Sequence, residues 1–127
     1  MQEYNILGDR MEITVEKVDS HLAIVSVIGE IDLNNTPELT TVFEKLRKEG
    51  IHQHILECSN ISYIDSSGIG VLIKSKSLLM QEKSDKSKDI ILLNLSPSVK
   101  RVFELTRLTG LFKTFNNRLE AIDYFNK

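Results

Sequence analysis

Cysteine is nearly absent: the single Cys58 excludes an intramolecular disulfide and suits a reducing cytosol. Its place at the end of the apolar stretch "HILEC" assigns it to packing rather than to reactivity. Long apolar runs are missing too, and none reaches the ~20 residues of a membrane span. The start "MQEYNILGDRM" lacks the charged and then apolar layout of a secretory signal, so a cytoplasmic protein without membrane insertion is expected. Excess charge of either sign is also wanting. A net charge of -2 in 127 residues gives no electrostatic ground for a nucleic-acid partner.

What is present is ordinary for one globular domain. With 41% hydrophobic and 27% charged residues, a chain of this length buries one core and not two. No internal repeat or low-complexity segment occurs.

Residues 1–11 show no sustained period and read as a flexible arm or a short extra strand, with Met11 as a possible alternative start. From Glu12, "EITVEKV" alternates as a half-buried strand does. "HLAIVSVIG" is nearly all apolar and valine- and isoleucine-rich, the pattern of a strand covered on both faces. "TPELTTVFEKLRKEG" predicts a helix with Thr36 as N-cap, Pro37 at the first helical position, Glu38 in the first turn and Gly50 beyond the last turn. Its stripe is Leu39, Val42, Phe43 and Leu46.

"HILEC" predicts a short strand. "IGVLIKSKSLLMQEK" predicts a second helix with Ile69, Leu72, Ile73, Lys76 and Met80 on one side, Lys76 being the blemish. "SDKSKD" (84–89) reads as a solvated connection and "IILLNL" as a buried strand. Ser96 and Pro97 then start a helix that faces Val99, Val102 and Phe103 inward. A last amphipathic helix carries Leu119, Ile122 and Phe125.

An initial hairpin followed by alternating helices and strands predicts an α/β domain with a mixed sheet, antiparallel first and parallel afterwards. The loops "GEIDLNNT" (29–36) and "SNISYIDSSG" (59–68) should then be neighbours on the edge where such folds bind.

"IDSSGIGV" (64–71) is the stretch richest in chemical options. A nucleophile elbow needs G-x-S-x-G, but Ile64 stands two before Ser66, and His21, His52 and His54 all precede the serine. A dinucleotide fingerprint lacks its third glycine after Gly68 and Gly70, and a P-loop lacks its lysine in register. His52-Gln53-His54 offers two imidazoles on one face of a strand, too few for zinc without further ligands, and reads as a polar strand entrance. The remaining reading is a helix start in which Asp65 or Ser66 caps and Gly68 permits a tight turn. A hydroxyl there also tolerates phosphate well, because the helix dipole and free amides favour the added charge.

Three blocks, "GEIDLNNTPEL" (29–39), "ISYIDSSGIGVLI" (61–73) and "LSPSVKRVFELTRLTGLF" (95–112), in that order and spacing resemble the bacterial anti-sigma factor antagonists, the single-domain STAS proteins. The resemblance spans about residues 12–126. It implies an N-terminal extension over 1–11 and a STAS domain over 12–127, a mixed sheet flanked by about four helices.

It further implies that Ser66 is phosphorylated by a partner that is both anti-sigma factor and serine kinase. Asp32, Asp65, Ser66, Ser67, Gly68 and Ile69 would then face that partner, with a metal-dependent serine phosphatase reversing the mark. Unphosphorylated protein would bind the anti-sigma factor and free a sigma factor. No cofactor and no catalysis are implied. The family's frequent paired glycines before the "IILLNL" strand are replaced here by "SDKSKD". Two alternatives stay open: a STAS module of a stress-signalling scaffold or transporter complex, and an enzyme with Ser66 as nucleophile.

Overall fold

In a computed structural model, residues 2–81 and 87–126 are described. Parts of the polar connection and of the predicted helix end, at 82–86, lie outside the described residues. Among the described residues seven strands form one sheet in the order β1-β2-β3-β4-β6-β7, with β5 paired to β3 beside that path. Strand β1 (Gln2–Gly8) runs antiparallel to β2 (Met11–Lys17), and β2 antiparallel to β3 (Leu22–Ile31). The segment with no sustained period is therefore a full edge strand.

Helix α1 (Thr36–Lys48) leads to β4 (Gln53–Glu57), which lies parallel to the first half of β3. The short β5 (Ile61–Ile64) lies parallel to its last residues, Gly29–Ile31. The ten-residue β3 thus holds two strands in succession along one side. The stretch 59–68, read as a loop, contains this strand, too short for periodicity to register.

Helix α2 (Ser66–Leu79), β6 (Asp89–Leu93), α3 (Pro97–Leu105), the two-residue β7 (Thr114–Phe115) and α4 (Arg118–Asn126) complete the domain. β6 and β7 extend the parallel part beyond β4. The mixed sheet with four helices agrees with the expected fold class.

The two sheet faces are covered unequally. Helices α1, α2 and α3 close the main core, where Ile13, Val25, Leu39, Phe43, Leu72 and Phe103 meet. Helix α4 closes a smaller core over Leu22, Ile24, Ile55 and Ile91 through Ala121 and Phe125. β3 is accordingly buried on both faces only at its start, from Leu22 to Val25, and Ile28 further along is exposed.

Several local expectations shift. Asn35, not Thr36, is the N-cap of α1, and the Thr36 hydroxyl donates to the Leu33 carbonyl instead. On α2 the buried positions are Gly68, Ile69, Leu72, Ser75 and Leu79, and Ile73 is exposed. Lys76 is no blemish: its ammonium lies 2.7 Å from the buried Asp89 carboxylate. Asp89 belongs to β6 rather than to a solvated connection. Leu119 on α4 is 71% exposed, because the helix seats on Ala121 and Phe125.

His54 is no polar entrance. It is fully buried, stacked on Phe43, with Nε2 2.8 Å from the Ile51 carbonyl to which it donates. Burial lowers its pKa from 6.5 to about 4, against the raising effect of that hydrogen bond. Cys58 is buried, and desolvation pushes its thiol well up, which fits packing rather than chemistry.

Candidate functional site

The site grows from the point where β5 ends and α2 begins. Asp65 continues the sheet for one bond, its amide donating to the Ile31 carbonyl at 3.2 Å. Its backbone is extended (φ -104°, ψ -174°), so its side chain folds back over the free amides of the first helical turn. Oδ1 accepts from the Ser67 amide at 2.9 Å, the Gly68 amide at 3.1 Å and the Ser67 hydroxyl. Partial burial alone would raise the Asp65 carboxyl. Bonds from the Ser67 hydroxyl and from the Gly68, Ser67 and Leu33 amides outweigh it and hold the group below the usual carboxylate range.

Of the two capping candidates the structure therefore selects Asp65. Ser66 is the first helical residue and is exposed. Its hydroxyl has no hydrogen-bond partner among the described residues. The adjacent serines differ in kind: one hydroxyl is spent on the cap, the other faces solvent.

Gly68 serves closeness rather than a turn. It is helical and buried, and a Cβ there would sit 2.7 Å from Ile64 Cγ1 and 2.8 Å from Ile31 Cγ2. Only a residue without a side chain lets α2 start this near the sheet. Gly70 meets nothing within 4 Å. It leaves α2 flat beside a shallow groove of about 270 Å³ against α1, lined by Thr40, Arg47, Ser67, Gly70, Lys74 and Leu78. Ile69 is in the core, 4% exposed, so its side chain is not part of the outer surface.

The neighbouring loop is built around a buried asparagine. Asn35 is fully buried and satisfies its amide three times: Oδ1 accepts from the Asp32 amide at 2.9 Å, and Nδ2 donates to the Asp9 and Glu30 carbonyls at 2.7 and 2.8 Å. These bonds tie the β1–β2 turn to the loop after β3. Asp32 accepts from the Asn34 amide at 2.9 Å and forms an ion pair with Arg10. Its side chain is 14% exposed, so it is not a free surface carboxylate.

The two loops predicted to be neighbours are joined directly, by the Asp65 amide donating to the Ile31 carbonyl. Around them stand Leu33, 73% exposed, and Tyr63, 50% exposed. Arg10, Leu33, Asn35 and Tyr63 were not legible as site residues. For Asn35 the available signal was an amide side chain directly before a Thr-Pro helix start; for Arg10 no local pattern existed.

A serine nucleophile is not assembled here. The chain's three histidines lie at the other end of the parallel strands. The His54 partner on β3 is Ala23, eight residues from Ile31, the partner of Ile64; at ~3.3 Å per residue that is about 26 Å. Among the described residues no group of three or more His, Cys, Asp or Glu is placed to hold a metal ion. Among the same residues no helix is long and apolar enough to cross a membrane.

Fold and site together define a small mixed-sheet α/β domain whose loop edge displays a serine-led helix. The chain belongs to the STAS domain family, whose family model matches residues 12–121. It is 34% identical over 87 residues to the anti-sigma-B factor antagonist of Staphylococcus epidermidis, covering 68% of this chain and 77% of that one. Two solved structures share the fold at 25% and 26% identity. They are the anti-sigma factor antagonist SpoIIAA in its unphosphorylated form (TM-score 0.72, 90% of this chain and 96% of that one) and the Bacillus cell fate determinant SpoIIAA in its phosphorylated form (TM-score 0.65, 87% and 96%).

Proposed function

We propose that this chain is an anti-sigma factor antagonist whose binding is switched by phosphorylation of Ser66. It binds an anti-sigma factor through the loop edge formed by Asp32, Leu33, Tyr63 and the start of α2, and thereby releases a sigma factor. The anti-sigma factor is also the kinase that transfers the ATP γ-phosphate to Ser66, and a metal-dependent serine phosphatase restores the binding form. The chain acts in the cytoplasm as a regulatory binding protein, with no catalysis of its own.

The observation that carries this reading is the contrast within one cap: Ser67 is bound to Asp65 while Ser66 stands exposed beside it. A phosphate on Ser66 needs no rearrangement of the cap. Placed in a protein contact without a counter-charge, it costs on the order of 2 to 5 kcal/mol, roughly 30-fold to several-thousand-fold in affinity. The names of the relatives above support the sigma-factor context.

The test is to incubate the protein with its anti-sigma kinase and ATP and map the product. A single phosphate at Ser66, absent in Ser66→Ala, is expected. In titration calorimetry Ser66→Asp should bind the anti-sigma factor at least ~30-fold more weakly than wild type. Phosphate elsewhere, or equal affinity of Ser66→Asp, would defeat the proposal.

A further inference from the structure

We infer that Arg10 is a positioning residue of the switch, and that the β1–β2 turn is a third wall of the surface around Ser66. The inference rests on the reading of Ser66 as the switch. Arg10 stands just before the first residue matched by the family model, at 12, in the segment to which the sequence assigned no role.

Its guanidinium pairs with Asp32, its Nε lies 3.8 Å from Glu30 Oε1, and its Nη2 lies 3.9 Å from Asp9 Oδ2. The Arg10 side chain is 48% exposed where that of Asp32 is 14%. A partner approaching this corner therefore meets the cation and, behind it, the carboxylate it holds.

The turn that carries Arg10 is seated firmly. Arg10 is left-handed (φ 60°), and its carbonyl accepts from the Glu30 amide at 2.9 Å. Gly29 has φ 109°, and a Cβ on it would collide with that same carbonyl oxygen. The register of β3 against β5 shifts at this step, between Gly29 and Glu30. The β3 irregularity thus accommodates the β1–β2 turn and sets Arg10 against Asp32.

From Asp32 the connection continues without a gap. Asp32 accepts from the Asn34 amide, its own amide donates to the Asn35 side-chain oxygen, and the Leu33 backbone between them helps hold the Asp65 carboxyl below the usual carboxylate range. Fixing Asp32 fixes the loop that holds one side of the cap beside Ser66. Arg10 also offsets the negative charge of Asp9, Glu30 and Asp32 at this corner.

The experiment compares wild type, Arg10→Asn and Arg10→Lys in the full chain. Asparagine tolerates the left-handed backbone while lacking the cation; lysine keeps the charge. Phosphorylation of Ser66 by the anti-sigma kinase is resolved into KM and kcat, and amide hydrogen exchange is followed at Leu33 and Ser67. The expected result is a KM about three- to tenfold higher for Arg10→Asn, little change in kcat, recovery toward wild type in Arg10→Lys, and faster exchange at Leu33. Unchanged KM and unchanged Leu33 exchange would overturn the inference, as would loss of protection spread through β2 and β3, which would make Arg10 a fold residue. If wild type takes phosphate at another residue, the reading of Ser66 fails instead, and the exchange data still decide whether Arg10 positions the loop.

Discussion

The Asp65 carboxylate holds both the amide and the hydroxyl of Ser67. A side chain that caps through one oxygen leaves the preceding residue, Ser66, with its hydroxyl turned to solvent. Within three positions of chain, one serine is thereby spent on the helix cap and the other left exposed.

This division predicts separable variants. Asp65→Ala loses the cap and should cost about 1 kcal/mol, while Ser66→Ala at an exposed first-turn position should stay within about 0.5 kcal/mol of wild type. Ser67→Ala should fall between them and still accept phosphate at Ser66. Urea denaturation with phosphate mapping by mass spectrometry checks all three; a Ser66→Ala cost as large as that of Asp65→Ala would contradict the assignment.

The two helix glycines should respond with opposite sign. Gly68→Ala forces a methyl onto Ile64 and Ile31, and overpacking at such a site costs about 1 to 3 kcal/mol. Gly70→Ala meets nothing and should gain about 0.5 to 1 kcal/mol from helix propensity. Thermal melts of the pair decide it.

His54 makes stability depend on pH. Its imidazole takes a proton only below about 4 in the folded chain, against about 6.5 in the unfolded chain. Between those values the unfolded state binds more protons, so stability falls as pH falls. From pH 7.5 to pH 5 the loss should be about 2 kcal/mol, read from urea midpoints. His54→Phe, which keeps a ring against Phe43, should flatten that slope; an unchanged slope would assign the effect elsewhere.

Lys76 and Asp89 should behave as a unit. Lys76→Met strands a carboxylate that is 4% exposed, at about 3 kcal/mol. The double variant Lys76→Met, Asp89→Leu should recover most of that loss in chemical denaturation. If the single and double variants are equally unstable, the pair is not what holds the end of α2 to β6.

Much of the fold was legible because its signals are local. Ser96 and Pro97 start α3 as read, with the Ser96 hydroxyl accepting from the Val99 amide, since an N-cap and its amide lie three residues apart. The stripe Leu39, Val42, Phe43 and Leu46 is buried as spaced. Periodicity failed where an element is too short to show one, as in β5 and β7, or where a helix seats on part of its apolar face. Leu119 is exposed for that reason, and Lys76 looked out of place because its partner is thirteen residues away.

By itself the sequence determined the alternation of strands and helices, the buried first part of β3, and a helix start close behind Asp65, which the structure places at Ser66 rather than at Gly68 and Ile69. Those follow from side-chain period and capping chemistry, which act over a few residues. Only the tertiary structure decided which serine is free, because that depends on where the Asp65 carboxylate points. It also decided that Arg10 reaches Asp32, twenty-two residues on. No local pattern encodes that contact; the bend at Gly29 and the pairing of β1, β2 and β3 bring the two charges together.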